Sequence, residues 1–230
     1  MYAQNLKYGF LKVCLGSLGM GEFERDLDLL LTKLRGGADK ATEEKLNALK
    51  DRLIQLRKQN LVKINHSVME LVCAKQLILK GYEVDVERPV NGGLTCDLCG
   101  VKGYGTLVVE VETGFVPPEH ALDPITYCKA RIASKIARYS NYADKFGLGT
   151  PPHYIMQFPP SFTKAPRHRS LKELEEIKRL CDLYYKNPPV SLAEIRNARL
   201  HSICIIDVET STTREMDPSS YSDNTIFWRY

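Results

Sequence analysis

The sequence predicts an α/β protein, a mixed sheet flanked by helices and preceded by a helical hairpin. Three observations carry this reading. Residues 22–35 and 41–60 repeat apolar side chains at helical spacing and are separated by Gly36 and Gly37. From residue 66 to about residue 160 the pattern runs helix, three strands, helix, strand, the period changing from helical to two-residue after Gly81. The 230 residues, 43% of them hydrophobic, suffice for one sizeable core plus an appendage. Residues 1–60 are accordingly read as the hairpin and 61–230 as the core.

The elements follow in order. In the second hairpin helix Leu46, Leu49, Leu53 and Leu56 form the narrow stripe of a coiled-coil seam, which suits packing on the first helix or the core, or a homodimer contact. A helix then opens with a Ser67/Glu70 capping box and closes at Gly81, followed by a strand through Val84 and Val86. Residues 94–101 and 106–113 read as two strands around the turn Lys102–Gly105. A long helix after Pro124 runs through Phe146, and His153–Phe158 reads as the fourth strand. Capping boxes at Ser170/Glu173 and Ser191/Glu194 open two further helices, residues 202–208 form a last strand, and residues 210–230 show no period.

Composition narrows the function classes. Net charge is +4, compatible with nucleic acid but too mild to demand it. Seven cysteines, several in apolar runs, fit a reducing, cytoplasmic interior better than a secreted disulfide framework. The apolar opening is interrupted by Lys12 and no cleavage site follows, so no signal peptide is expected; no run is long enough for a membrane span. Phosphate-binding glycine loops are absent, so no nucleotide cofactor is expected, and no Ser, His and Asp set or nucleophile elbow stands out. Cys96 and Cys99 have the spacing of half a zinc site, but no second pair follows, and strand geometry would place them on opposite faces.

The stretch Thr106–Gly114 carries two glutamates inside an apolar strand. Alternation puts Thr106, Val108, Glu110 and Glu112 on one face and Leu107, Val109 and Val111 on the other. Pairing Val101 with Thr106 across the turn brings Asp97 opposite Glu110. Two facing carboxylates repel unless one stays protonated or a cation lies between them. A hard divalent ion, Mg2+ or Mn2+, satisfies such a pair while keeping positions for water and phosphate. Ion pairs with Arg or Lys from a packing helix, or a solvent-exposed sheet face, are the alternatives.

Residues 62–160 resemble the PD-(D/E)XK nuclease superfamily, especially its archaeal Holliday junction resolvase branch. The resemblance rests on a helix with a first-turn glutamate (Glu70), the glycine–aromatic pair Gly81 and Tyr82, a strand, and a hairpin bearing Asp97 and Glu110. It implies a restriction-endonuclease-like core and a Mg2+- or Mn2+-dependent DNA endonuclease that could act on branched or junction DNA, as a homodimer. Asp97 and Glu110 would bind the metal with the Val111 carbonyl nearby, and Glu70 would complete or support the shell. The superfamily's lysine two residues after the acid is replaced here by Glu112, which would hold a second metal or accept the proton of the attacking water.

A relocated lysine is sought on the helix after Pro124. Lys129 shares the apolar side with Ile125, Ile132, Ile136 and Ala143 and is the first candidate, Lys135 the second. Arg131, Lys135, Arg138 and Tyr142 form a separate stripe suited to phosphates or to solvent. His66 reads as a loop histidine near substrate, and Lys164, Arg167, His168 and Arg169 as a basic loop that could hold phosphate. A nuclease-fold module that binds nucleic acid without cleaving it, and an oligomeric scaffold built on the leucine seam, remain alternatives.

Overall fold

The computed structural model describes residues 20–90 and 93–226. The apolar opening stretch, 1–19, lies outside the described residues, as do the last residues of the aperiodic tail. Among the described residues seven α-helices surround one six-stranded mixed sheet of order β1-β2-β3-β4-β5-β6. No helix among them is long and apolar enough to cross a membrane.

Helices α1 (Met20–Leu34) and α2 (Lys40–Lys58) form the expected hairpin, and the Asp39 carboxylate caps α2 by accepting from the Thr42 N–H at 2.8 Å. Phe23, Leu27 and Leu31 of α1 pack into the same core as Leu46, Leu49 and Leu53 of α2, with Leu56 partly buried against it. The leucine stripe is therefore covered by the chain's own core. Helix α3 (Ile64–Leu79) joins that core through Met69, Val72 and Leu77. It begins a turn earlier than its sequence suggests. Lys63 occupies the N-cap without a side-chain bond, because Ile64 and Val68 pack against the core and draw Ser67 and Glu70 into the helix interior. The capping box does not form.

Strands β1 (Glu83–Pro89), β2 (Thr95–Lys102) and β3 (Gly105–Val111) are antiparallel neighbours. Val101 pairs with Thr106, and Lys102 with Gly105, so the turn itself is only Gly103 and Tyr104. Leu107, Val109 and Val111 enter the first core and Val108 the second, on the opposite face of the sheet, as alternation requires.

Helix α4 (Pro124–Tyr139) stops seven residues short of Phe146, and the fourth strand is β4 (Lys145–Thr150), parallel to β3. His153–Phe158 is irregular chain: Met156 and Phe158 are buried in the second core, and the Met156 N–H is held by the Tyr221 hydroxyl at 2.9 Å. Its apolar residues mimic a strand because they fill a core. β4 escapes notice because its glycines weaken strand character. They are there for space: a Cβ at Gly147 would lie 2.9 Å from Ser202 Oγ, and one at Gly149 2.6 Å from Ile206 Cδ1.

Both expected capping boxes form, opening α5 (Leu171–Asp182) and α6 (Leu192–Asn197). Strand β5 (Ser202–Asp207) runs parallel to β4. The tail supplies β6 (Thr212–Met216), antiparallel to β5, and α7 (Pro218–Ile226). Helices α4, α5 and α6 cover the second face through Ile132, Ile136, Leu174, Ile177 and Ile195.

Candidate metal centre

The site is built on a local break in the β2–β3 ladder. Regular pairing reaches Leu98–Val109. Beyond it the Asp97 N–H donates to Glu110 Oε1 at 3.0 Å, and Asp97 Oδ2 accepts from the Val111 N–H at 2.5 Å. The Asp97 side chain thus occupies the place of a backbone acceptor between the strands, so the register brings Asp97 and Glu110 together as its extrapolation requires. The same break puts Cys96 and Cys99 in one core with their thiols in hydrogen-bonding contact, so the expectation of opposite faces fails.

Glu70, Asp97, Glu110 and Glu112 are all at least nine-tenths buried. Four carboxyl groups in a poorly solvated space require counter-charge. Helix α4 supplies it from adjacent turns. Lys135 Nζ lies 3.0 Å from Glu112 Oε1, 3.2 Å from Glu110 Oε2 and 3.7 Å from Asp97 Oδ2, and donates to the Val111 carbonyl at 3.1 Å. Arg131 holds Glu112 Oε2 through Nε at 3.0 Å and Nη2 at 2.9 Å. Burial opposes the charge on Lys135, but the Glu112, Asp97 and Glu110 carboxylates outweigh it and raise its pKa well above the lysine value. Burial likewise opposes ionisation of Glu112, and Lys135 and Arg131 outweigh it, so Glu112 is held below the usual carboxylate range.

The other side of Asp97 is different. His66, Glu70 and Asp97 each offer a ligand atom, all within 4.8 Å of one another. His66 Nδ1 lies 3.9 Å from Asp97 Oδ1. Both Glu70 carboxyl oxygens and Ser67 Oγ are buried without a hydrogen-bond partner among the described residues. Burial first, and Asp97 next, push Glu70 well above the ordinary carboxylate pKa, and the same two causes act on Glu110. Burial lowers the His66 pKa more than Asp97 raises it, leaving a neutral imidazole able to donate a lone pair. Three residues of the right chemistry converge where no described residue hydrogen-bonds the Glu70 carboxyl, an arrangement that fits a divalent cation.

Glu87 of β1 completes the surroundings and escapes the sequence reading. Burial, then Asp97, raise its pKa to about 7. Its backbone is left-handed (φ 47°), a conformation costly for a non-glycine residue, and Arg52 of α2 fixes the kink by donating to the carbonyls of Val86 (2.8 Å) and Glu87 (3.1 Å). The β1–β2 pairing, Val86 with Leu98 and Arg88 with Cys96, would have placed Glu87 beside Asp97 had the register been known.

Several expectations require correction. Glu70 is not a capping residue, and His66 lies in the first turn of α3 rather than in a loop. Lys129 makes no ion pair among the described residues; Lys135 is the cation among the acids. The buried arc of α4 is wider than its isoleucines indicate, because Cys128, Ala130, Ala133 and Ala137 are buried too, and Arg131 and Lys135 reach the strand ends from its edge. The Val111 carbonyl is engaged by Lys135. Arg131 serves Glu112, and Arg138 stacks on Tyr185 at 5.8 Å while donating to the Pro188 carbonyl, so the proposed phosphate stripe is largely occupied. Ile125 is exposed rather than sheet-facing.

The basic loop lies elsewhere. Lys164 pairs with Glu173 at 2.6 Å, Arg167 is exposed, and Arg169 is buried, donating to the carbonyls of Ser161, Lys164, Ile195, Arg196 and Ala198. Arg169 therefore stitches the fold. The loop's cavity borders His201, at the N-terminal end of β5, whereas the acids gather at the C-terminal end of β3. Comparison with protein-family models, curated proteins and solved structures found no match.

Proposed function

We propose that this chain is a metal-dependent phosphodiester hydrolase acting on DNA, with a restriction-endonuclease-like core. The observation that carries the reading is Glu70: a fully buried carboxyl group with neither oxygen partnered among the described residues, grouped with His66 and Asp97. A fold does not keep such a group for stability, since leaving it unpaired costs about 1–3 kcal/mol. His66, Glu70 and Asp97 would hold a divalent cation, and the imidazole nitrogen tilts an otherwise oxygen-donor set toward Mn2+ over Mg2+. Such an ion, when bound, lowers the pKa of water and polarises a phosphoryl oxygen.

The chain's own residues do the rest. Glu110 fixes Asp97 through its backbone N–H. Lys135 brings from α4 the ammonium that the nuclease resemblance expects at position 112, and in contact with a phosphate it would balance charge growing on the oxygens. Glu112, clamped by Arg131 and Lys135, holds that ammonium in place.

A second reading has its own observation. Lys135 and Arg131 already neutralise Glu112 and part of the Asp97–Glu110 pair, as in a structural ion network, which would suit a nuclease-fold module that binds DNA without cutting it. A panel of branched, flapped and linear DNAs with Mg2+, Mn2+ or EDTA separates the two. The hydrolase reading expects cleavage that EDTA and Asp97→Ala abolish; binding without cleavage under every condition supports the second.

A further inference from the structure

Among the described residues, one side chain tethered to the ion network by its backbone belongs neither to the core clusters nor to the ion pairs. Phe115 follows the acid-bearing strand by a few residues and is 58% exposed, yet its backbone is held on both sides. Its carbonyl accepts from Arg131 Nη1 at 2.6 Å, the guanidinium that also grips Glu112. The preceding Gly114 is left-handed (φ 78°) and pressed beneath Tyr154, whose ring would lie 2.6 Å from any Cβ there. An aromatic ring is thus displayed to solvent on a mount fixed to the site itself.

Lys63, the N-cap of the helix carrying His66 and Glu70, holds its ammonium over the Phe115 ring, 5.9 Å from the ring centroid. Ring and ammonium come from the segment that follows the Glu110 strand and from the start of the helix that carries His66 and Glu70. Their chemistry is complementary to one nucleotide, a π-face for the base and a cation for its phosphate. A base inside a continuous duplex has both faces covered by its neighbours, so only an unpaired or terminal base can lie on the ring.

We infer that Phe115 and Lys63 form a clamp for an unpaired nucleotide beside the scissile phosphate, so that the substrate is DNA with single-stranded character at the cleavage point. This rests on the hydrolase reading and adds the substrate class to it.

The test measures affinity for a fluorescein-labelled single-stranded oligonucleotide and for a blunt duplex of equal length, in Ca2+ to suppress cleavage, alongside single-strand cleavage in Mn2+. Phe115→Ala is expected to weaken single-strand binding roughly 10- to 100-fold, from the energy of one base–aromatic stack, with duplex binding changed less than about twofold. Phe115→Trp should retain the preference, and Lys63→Ala should weaken both substrates while flattening the salt dependence by about one counterion. Equal losses on both substrates, or none, for Phe115→Ala in a wild-type background that binds and cleaves DNA overturn the clamp and leave the hydrolase reading intact. A wild-type protein that binds no DNA overturns both.

Discussion

Replacing Glu70 by methionine distinguishes a residue kept for chemistry from one kept for structure. Methionine has a similar length and removes a carboxyl whose ionisation is opposed by burial and by the nearby Asp97, Glu87 and Glu110. The wild-type carboxyl is fully enclosed and both of its oxygens lack partners, so its burial costs about 1–3 kcal/mol that the thioether does not. The metal-free variant should therefore be more stable than wild type. For a domain of this size each kcal/mol moves the midpoint by roughly 2–4 °C, which predicts a rise of about 2–12 °C in EDTA. Thermal denaturation followed by circular dichroism, with EDTA and with Mn2+, reads both halves of the claim: Glu70→Met should melt higher without metal and lose the stabilisation that Mn2+ gives wild type. A variant that melts lower in EDTA, or gains as much from Mn2+ as wild type, would refute it, because Glu70 would then be supporting the fold.

Three further outcomes follow from the same geometry. Lys135→Met leaves Glu112, Glu110 and Asp97 short of a buried counter-charge and should cost about 3–5 kcal/mol in EDTA urea titrations, with part recovered on adding Mn2+. Glu87 is raised from the ordinary carboxylate value to about 7, so the unfolded chain ionises first; its stabilising contribution is full below the unfolded pKa and is lost as pH rises through the folded one. The melting temperature of metal-free wild type relative to Glu87→Gln should accordingly fall between about pH 4.5 and pH 8, and a flat difference would contradict the assignment. Arg169→Met strands buried carbonyls and should lower stability by roughly 3–5 kcal/mol in urea titration while leaving Mn2+ affinity, read by calorimetry, unchanged.

Where physics is local, the sequence is readable. The capping boxes at Ser170 and Ser191 and the hairpin turning within Lys102–Gly105 declare themselves through residue chemistry and period, although the turn itself is shorter, only Gly103 and Tyr104, and the hairpin count alone brings Asp97 to Glu110. Where tertiary packing overrides local preference, the sequence misleads. Ser67 and Glu70 satisfy a capping pattern that the burial of Ile64 and Val68 displaces, and Gly147 and Gly149 look like strand breakers until Ser202 and Ile206 arrive from β5. The large apolar residues of α4 define too narrow a face and point to Lys129, whereas its buried alanines and Cys128 shift the arc so that Lys135 reaches the acids. His66 and Glu87 join the acids only through the start of α3 and the β1–β2 register, neither of which residue spacing fixes.

The most direct test of the metal centre is anomalous diffraction from a crystal soaked in Mn2+. A peak within coordination distance of His66 Nδ1 or Nε2, a Glu70 oxygen and an Asp97 oxygen, with Lys135 still against Glu112, is the expected result. No peak at these residues at a concentration that supports DNA cleavage, or a peak only on exposed carboxylates, would contradict the account.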